Sequence, residues 1–387
     1  MGRLLIVNNA PTPYRTFMFN RLCSAGREFG IEVEVAYQAE RIHAHPEWKP
    51  QGCEQQFPFW YSRRGFPLAT APRPFFDRWT LHLDILAAAW SRRYTHILCA
   101  PFMGTTSALI ALMPLRATRR LLWSENHADS TGDGSPFKRW LKRVLARRFD
   151  AIVVPGERAA EHLCGIDRRF TGRAPLLLPN IVDRSVFRGR TQAYRLRRQE
   201  VRRDLGLPAG ATVILSIGRL EDGKGYGGAI AACVRAGAGI VYCVVGNGSQ
   251  LEEYRERVRN LGLAGRILFP GGVSEERVVQ YFAVADWFWH PALVDRSPLV
   301  CVEALTAGLP MCVSNQTGNA PETVVPDRNG FCFDGADGGA IAGALARMMA
   351  TSSAERERMG NESARMAAES FDPEAVARRF FVGLLRV

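Results

Sequence analysis

The sequence predicts an α/β protein made of two doubly wound domains in tandem. Three observations lead there. At 387 residues the chain exceeds one core, since a domain usually takes roughly 100–200 residues. Short apolar runs alternate with helical patterns in both halves, as parallel sheets covered on both faces require. The alternation stops at Asp183 and restarts at Thr212.

In the N-terminal half the expected strands are Leu4–Asn8, Val33–Tyr37, His96–Ala100, Arg120–Ser124, Ala151–Val154 and Leu176–Leu178. Helical patterns lie between them, at Arg15–Ser24, Asp77–Ser91 and Phe137–Phe149. Residues 184–210 are Arg-rich, poor in large apolar side chains, and end in Leu207-Pro208-Ala209-Gly210. They read as a linker with a lead-in helix. In the C-terminal half the expected strands are Thr212–Ile217, Ile240–Val245, Ile267–Phe269, Trp287–Trp289, Met311–Ser314 and Phe331–Phe333. Helices are expected at Gln250–Asn260 and Ser274–Val284, with Ser274 as an N-cap, and again from Ala340 to Val387. The expected domains are therefore 1–183 and 211–369, with 370–387 a C-terminal helix returning to the first domain. Two such domains would face a central cleft, and ligands would bind at the carboxyl ends of the strands.

Composition narrows the function classes. Hydrophobic residues at 47% and charged residues at 23% describe a globular chain rather than a disordered one. Nine cysteines without a C-x-x-C pair, several in apolar runs, point to a reducing cytoplasm rather than a disulfide scaffold or zinc site. No secretory signal is visible, because Leu4–Val7 is short and followed by Asn8-Asn9. The uncharged stretch Ile97–Leu115 is broken by Pro101 and Gly104, so strand, turn and buried helix is expected there instead of a membrane span. The net charge is +12, and residues 1–180 hold 25 Lys and Arg against 15 Asp and Glu. Nucleic acid, an anionic membrane and a phosphate-bearing substrate compete to explain this excess. No nucleic-acid-binding module is recognisable, so a nucleic-acid partner is not expected.

Three segments carry the chemistry. Gly218-Arg219-Leu220-Glu221-Asp222-Gly223-Lys224-Gly225 follows an apolar strand and opens a helix. Glycines allow close backbone approach, a helix N-terminus favours an anion, and Arg219 and Lys224 add two cations. A diphosphate fits; two solvated surface cations beside a turn are the plainer alternative. Gly246-Asn247-Gly248 resembles half of a dinucleotide fingerprint or marks a tight turn. In the third segment Asp295 and Glu303 flank seven residues that contain Ser297-Pro298-Leu299-Val300. Pro298 suits a first helical turn, and the amides near it would face an anion. Glu303, one turn deeper, either meets a ribose diol or ties down a loop.

Together these residues resemble the GT4 glycosyltransferases, which are retaining enzymes of the GT-B fold. Gly218–Gly225 match the family's G-R-L-x-x-x-K-G motif, and Gly246 and Gly248 match its G-x-G turn. Phe269-Pro270-Gly271-Gly272-Val273-Ser274 approximate its next strand and turn. Pro179-Asn180-Ile181-Val182-Asp183 match its interdomain segment. Asp295-x7-Glu303 followed by Ala304-Leu305-Thr306-Ala307-Gly308-Leu309-Pro310 matches its acidic signature, with Asp in place of the first Glu and Ser297-Pro298 in place of Phe-Gly. The resemblance implies a nucleotide sugar, UDP- or GDP-linked, as co-substrate, with no other cofactor. It implies that Arg219 and Lys224 hold the diphosphate, Glu303 the ribose and Asp295 the sugar, while Gly218, Gly246, Gly248, Gly272, Val273, Pro298, Leu299 and Val300 complete the donor site. The chain contains no D-x-D motif, which agrees with Arg and Lys taking the place of a metal.

In the first half, Trp123-Ser124-Glu125-Asn126-His127-Ala128-Asp129 follows a strand, and the family often places a His there that faces the reacting centre. His127 takes that role or Glu125 does. Asn9, Tyr14, Arg15 and Glu125 are the acceptor-side candidates, with Arg15 meeting a phosphate or capping the sheet. Phe137–Phe149 is a basic amphipathic helix, with Phe137, Trp140, Leu141, Val144, Leu145 and Phe149 on one face. It reads either as a domain helix or as a peripheral contact with anionic lipid at the inner face of the membrane, and Arg63-Arg64 and Arg73–Arg78 with Phe75, Phe76 and Trp79 would serve the same end.

The function expected is hexosyl transfer, with retention, to a glycan, lipid-linked or small-molecule acceptor, in envelope glycan or glycoconjugate synthesis. A natural-product glycosyltransferase with a small aglycone and a nucleotide-sugar 2-epimerase are the alternatives; the Gly218–Gly225 motif argues against the epimerase.

Overall fold

The computed structural model describes residues 2–40, 55–67, 80–100, 102–115, 117–130, 135–172, 174–237 and 239–387. It divides into two compact units, Met1–Ile181 with Pro373–Val387, and Val182–Asp372.

The first unit holds β1 (Gly2–Asn8), β2 (Ile31–Tyr37), β3 (Phe59–Tyr61), β4 (Gly65–Pro67), β5 (Thr80–His82), β6 (His96–Cys99), β7 (Arg119–Trp123), β8 (Ala151–Val154) and β9 (Leu176–Leu177). Seven of these form a sheet in the order β3-β2-β1-β6-β7-β8-β9, and β4 and β5 form a separate antiparallel pair. All pairings in the large sheet are parallel, with Leu4 opposite Val33 and His96. Side chains alternate along a strand. Leu4 and Ile6 therefore enter one core with Phe19, Leu22, Phe380 and Phe381. Leu5 and Val7 enter the opposite one with Ile97, Cys99 and Leu122. Burial on both faces explains why β1 reads as an unbroken apolar run. The last helix, Pro373–Leu384, belongs to this unit, and Phe381 stacks on Phe29 with ring centroids 5.8 Å apart.

The second unit holds β10 (Thr212–Ile217), β11 (Ile240–Val245), β12 (Ile267–Gly271), β13 (Trp287–His290), β14 (Met311–Ser314) and β15 (Gly330–Phe333). Their order is β12-β11-β10-β13-β14-β15, all parallel. This is a doubly wound Rossmann order, and it reverses between β10 and β13.

The structure corrects three expectations. Residues 184–210 hold more than a linker with one lead-in helix: Arg184–Leu196 and Arg198–Asp204 are both helices, and both belong to the second unit. Their arginines satisfy carbonyls at other helix ends. Arg195 Nη2 donates to Ala307 O at 2.9 Å, and Arg202 Nη2 donates to Val284 O at 3.0 Å and to Asp286 at 2.7 Å. The helical pattern over Asp77–Ser91 yields β5 and then a helix over Leu83–Trp90, with residues 77–79 outside the described set. Pro298 does not lie in a first helical turn; it is the N-cap, with an extended backbone, and the helix starts at Leu299. The uncharged stretch after β6 becomes a short helix, Thr105–Leu112. Among the described residues no helix is long and apolar enough to cross a membrane.

Candidate nucleotide-sugar site

The topological reversal of the second sheet puts two loops side by side, the one after β10 and the one after β13. Backbone bonds lock them together: Leu293 N and Val294 N both donate to Gly223 O, at 2.8 and 2.9 Å. Gly225 sits at φ +71°, and a Cβ there would fall 1.8 Å from Pro291 O, so no other residue fits. Gly246 and Gly248 bring the loop after β11 onto the same edge. A Cβ on Gly246 would fall 1.9 Å from Gly218 O, and one on Gly248 would fall 2.2 Å from Leu220 O. Leu220 N donates to Asn247 O at 2.9 Å. These glycines are thus required by the crossing of two backbones, whatever binds there. Gly272 N donates to Asn247 Oδ1 at 2.8 Å, which brings Gly272 and Val273 to the same edge.

The charged groups of the motifs converge on this edge. Lys224 Nζ lies 2.5 Å from Asp295 Oδ2, and His290 Nε2 lies 3.0 Å from the same oxygen. Burial alone would raise the Asp295 carboxyl; the hydrogen bond with His290 and the charge of Lys224 outweigh it and hold it far below the usual carboxylate range. Arg219 Nη1 pairs with Glu221 Oε1 at 2.8 Å, with both side chains partly exposed. The helix Leu299–Ala307 opens at this edge without a side-chain cap, so the amides of Leu299 and Val300 retain their donor capacity. Asn319 Nδ2 fixes the helix start by donating to Pro298 O at 3.0 Å. One turn in, burial raises the Glu303 carboxyl to about 7, with neighbouring Glu275 adding to it. Two cations, helix amides and a partly protonated acid on one sheet edge can hold a diphosphate and a diol.

Two residues at this edge have no counterpart among the sequence-derived candidates. His290 ends β13 and is 2% exposed. Tyr226 is buried, and its hydroxyl lies 2.9 Å from where a Cβ on Gly218 would stand. His290 stands five residues before Asp295, but in the sequence a His closing an apolar strand reads as core.

The first unit gathers its own candidates. Arg15 is 7% exposed, pairs with Glu125, and places its guanidinium 4.0 Å from the Trp123 ring centroid and 5.2 Å from that of Tyr14. Its net pKa is raised: burial opposes the charge, and Glu125 and Tyr14 more than compensate. Asn9 lies on the adjoining loop, where its carbonyl accepts from Ala39 N at 2.8 Å. His127 is also buried, with its backbone N donating to Ser130 Oγ at 2.9 Å and Nδ1 lying 3.7 Å from Asp129. Among the described residues no cluster of three or more His, Cys, Asp or Glu is placed to hold a metal ion.

The basic helix spans Pro136–Ala146. Its apolar face does not pack along its whole length. Leu145 is buried, while Phe137 and Trp140 are 65% and 58% exposed and stack on each other 5.8 Å apart. Arg63 and Arg64 are exposed at the surface, and Arg73–Arg78 with Phe75, Phe76 and Trp79 lie outside the described residues.

Residues 197–366 match the family of group 1 glycosyl transferases. The chain is 31% identical over 182 residues to the GDP-mannose-dependent alpha-(1-6)-phosphatidylinositol monomannoside mannosyltransferase of Mycobacterium tuberculosis, covering 44% of this chain and 46% of that protein. It is 34% identical over 118 residues to the 2-deoxystreptamine N-acetyl-D-glucosaminyltransferase of Streptomyces fradiae, covering 29% and 28%. The matches thus span less than half the length of these curated relatives. Over their full lengths, this chain and Anabaena HepE, solved in complex with UDP, share a TM-score of 0.75 at 15% identity. Sucrose-phosphate synthase from Thermosynechococcus elongatus gives 0.71 at 18%, covering 100% of this chain and 98% of that one. At such identities the likeness shows the fold, which is the GT-B fold with its two Rossmann-like units.

Proposed function

With residues 197–366 forming a group 1 glycosyl transferase domain of the GT4 type, we propose that the protein transfers a hexosyl group from a UDP- or GDP-sugar to an acceptor hydroxyl, with retention and without a metal ion. The observation that carries this reading is the Lys224–Asp295 pair between the loops after β10 and β13, where the second sheet reverses its order, with Arg219 on the first loop and the start of Leu299–Ala307 after the second.

In the proposed reaction the bond between the anomeric carbon and the diphosphate oxygen breaks, and the nucleoside diphosphate leaves with the electron pair. On the face that the diphosphate leaves, the acceptor oxygen bonds to the anomeric carbon and passes its proton to an oxygen of the departing diphosphate. Charge grows on the leaving oxygens, where Arg219, Lys224 and the amides of Leu299 and Val300 would stabilise it. Glu303 accepts from the ribose hydroxyls, which favours its ionised form. Asp295 accepts from hydroxyls of the sugar. Gly218, Gly246, Gly248, Gly272 and Val273 let the nucleotide lie close to the backbone, and Pro298 sets the start of the helix.

On the acceptor side, Glu125, held by Arg15, receives the acceptor together with Tyr14 and Asn9, and His127 supports the same loop. Glu125→Gln should spare nucleotide binding and lower transfer. The acceptor is a lipid-linked or envelope glycan. The exposed Phe137–Trp140 pair beside Lys138, Arg139, Lys142 and Arg143 supports contact with an anionic membrane surface. A small aglycone is the second reading, favoured by the Streptomyces relative whose name specifies 2-deoxystreptamine. The test is release of nucleoside diphosphate from a panel of UDP- and GDP-sugars, with and without EDTA. Turnover that persists in EDTA supports the proposal, and no turnover of any donor overturns it.

A further inference from the structure

Lys224 and His290 share one oxygen of Asp295, Oδ2. The three side chains are 18%, 3% and 15% exposed, respectively, so the carboxylate is largely out of water and depends on its partners. In the reaction proposed above, the diphosphate competes for Lys224. A carboxylate this enclosed is costly to leave with a partner withdrawn.

His290 is built to stay. It closes the buried strand β13 and stacks on Phe288 with ring centroids 6.0 Å apart and planes 10° from parallel. A carboxylate only accepts, so the proton shared with Asp295 sits on Nε2. The other ring nitrogen, Nδ1, is buried and has no hydrogen-bond partner among the described residues. The backbone of Asp295 is pinned as well, its carbonyl accepting from Gly318 N at 2.8 Å.

We propose that His290 is a positioning residue that holds the Asp295 carboxylate in place when bound diphosphate draws Lys224 away. The inference rests on the proposed role of Lys224 in holding the donor. It makes the cost of losing His290 larger on ligand binding than on folding, because in the empty site Lys224 still pairs with Asp295.

The experiment is calorimetric titration of UDP and GDP into the wild-type chain, His290→Phe, His290→Gln, Asp295→Ala and the double variant H290F/D295A, with melting temperatures of the unliganded proteins. Phenylalanine keeps the stacking and removes the donor; glutamine restores an N–H at nearly the same reach. The expected result is a loss of about ten-fold or more in nucleotide affinity for H290F, the size of one charge-assisted hydrogen bond. H290Q should recover most of it, the unliganded melting temperature of H290F should fall but be restored in H290Q, and H290F should have no further effect on affinity once Asp295 is Ala. Wild-type affinity in H290F, or the same loss in the Asp295→Ala background, would overturn the assignment of His290. A wild-type chain that binds neither nucleotide would overturn the functional reading itself, and this inference with it.

Discussion

Glu303→Gln should stabilise the protein at alkaline pH and change it far less at acid pH. Burial holds the Glu303 carboxyl near 7 instead of its ordinary 4.5. Such a difference corresponds to about 3 kcal/mol between the protonated and ionised forms. Part of the side chain reaches water, so roughly 1–3 kcal/mol is the range to expect. The folded state binds the proton more tightly than the unfolded chain does, so stability falls as pH rises between the two values. The penalty is absent below about 4.5, grows through 7 and is constant above. Glutamine is isosteric with the protonated acid and carries no such penalty. Urea unfolding of both proteins at pH 5 and pH 8 measures the effect: the gap in favour of E303Q should open with pH, at unchanged m-value. A gap that is the same at both pH values would refute the reasoning, because it would mean that the Glu303 charge is not what the fold opposes. If ribose hydroxyls bind the carboxylate, nucleotide affinity of the wild-type chain should also rise from pH 6 to pH 8, and that of E303Q should not.

Two further outcomes follow from the same structure. Gly225→Ala should cost at least about 3 kcal/mol, since its Cβ would overlap Pro291 O at a positive φ, whereas Gly343→Ala, inside the helix Gly338–Ala350 with nothing near its Cβ, should gain about 0.5–1 kcal/mol; thermal melts of the two variants decide. Replacing Phe137 and Trp140 together by Ser should abolish co-sedimentation with phosphatidylglycerol vesicles without lowering the melting temperature, because both side chains are already in water; unchanged sedimentation would remove the membrane contact from the account.

The central strands were legible because they are apolar on both faces. The runs Thr212–Ile217, Ile240–Val245 and Met311–Ser314 have those bounds in the structure, as does Ala151–Val154. β3, β4 and β5 escaped notice because each has three residues, exposed or partly buried except for His82, too few to set up a period. The helices over 184–204 read as a linker because their arginines spend their charge on carbonyls at other helix ends, a tertiary use that local composition hides. In the second unit the glycines stood out in the sequence because close backbone approach demands them, and that approach is what the structure shows. Even so, Gly246 and Gly248 serve the crossing of two loops as directly as any ligand. His290 was invisible because a buried imidazole at the end of an apolar strand looks like core until its distance to Asp295 is known. Arg15 and Glu125 stand 110 positions apart, and only the sheet brings them together.

The most direct test of the central claim is titration calorimetry of UDP and GDP against the wild-type chain and Arg219→Ala, each with and without EDTA. Arg219 is partly exposed and its pair with Glu221 is an exposed one, so its loss should leave the fold intact. The account predicts that one of the two nucleotides binds, that EDTA changes nothing, and that R219A weakens binding by about ten- to a hundred-fold. Binding that disappears in EDTA, or that is indifferent to Arg219, would contradict a donor site built on the cations of this loop.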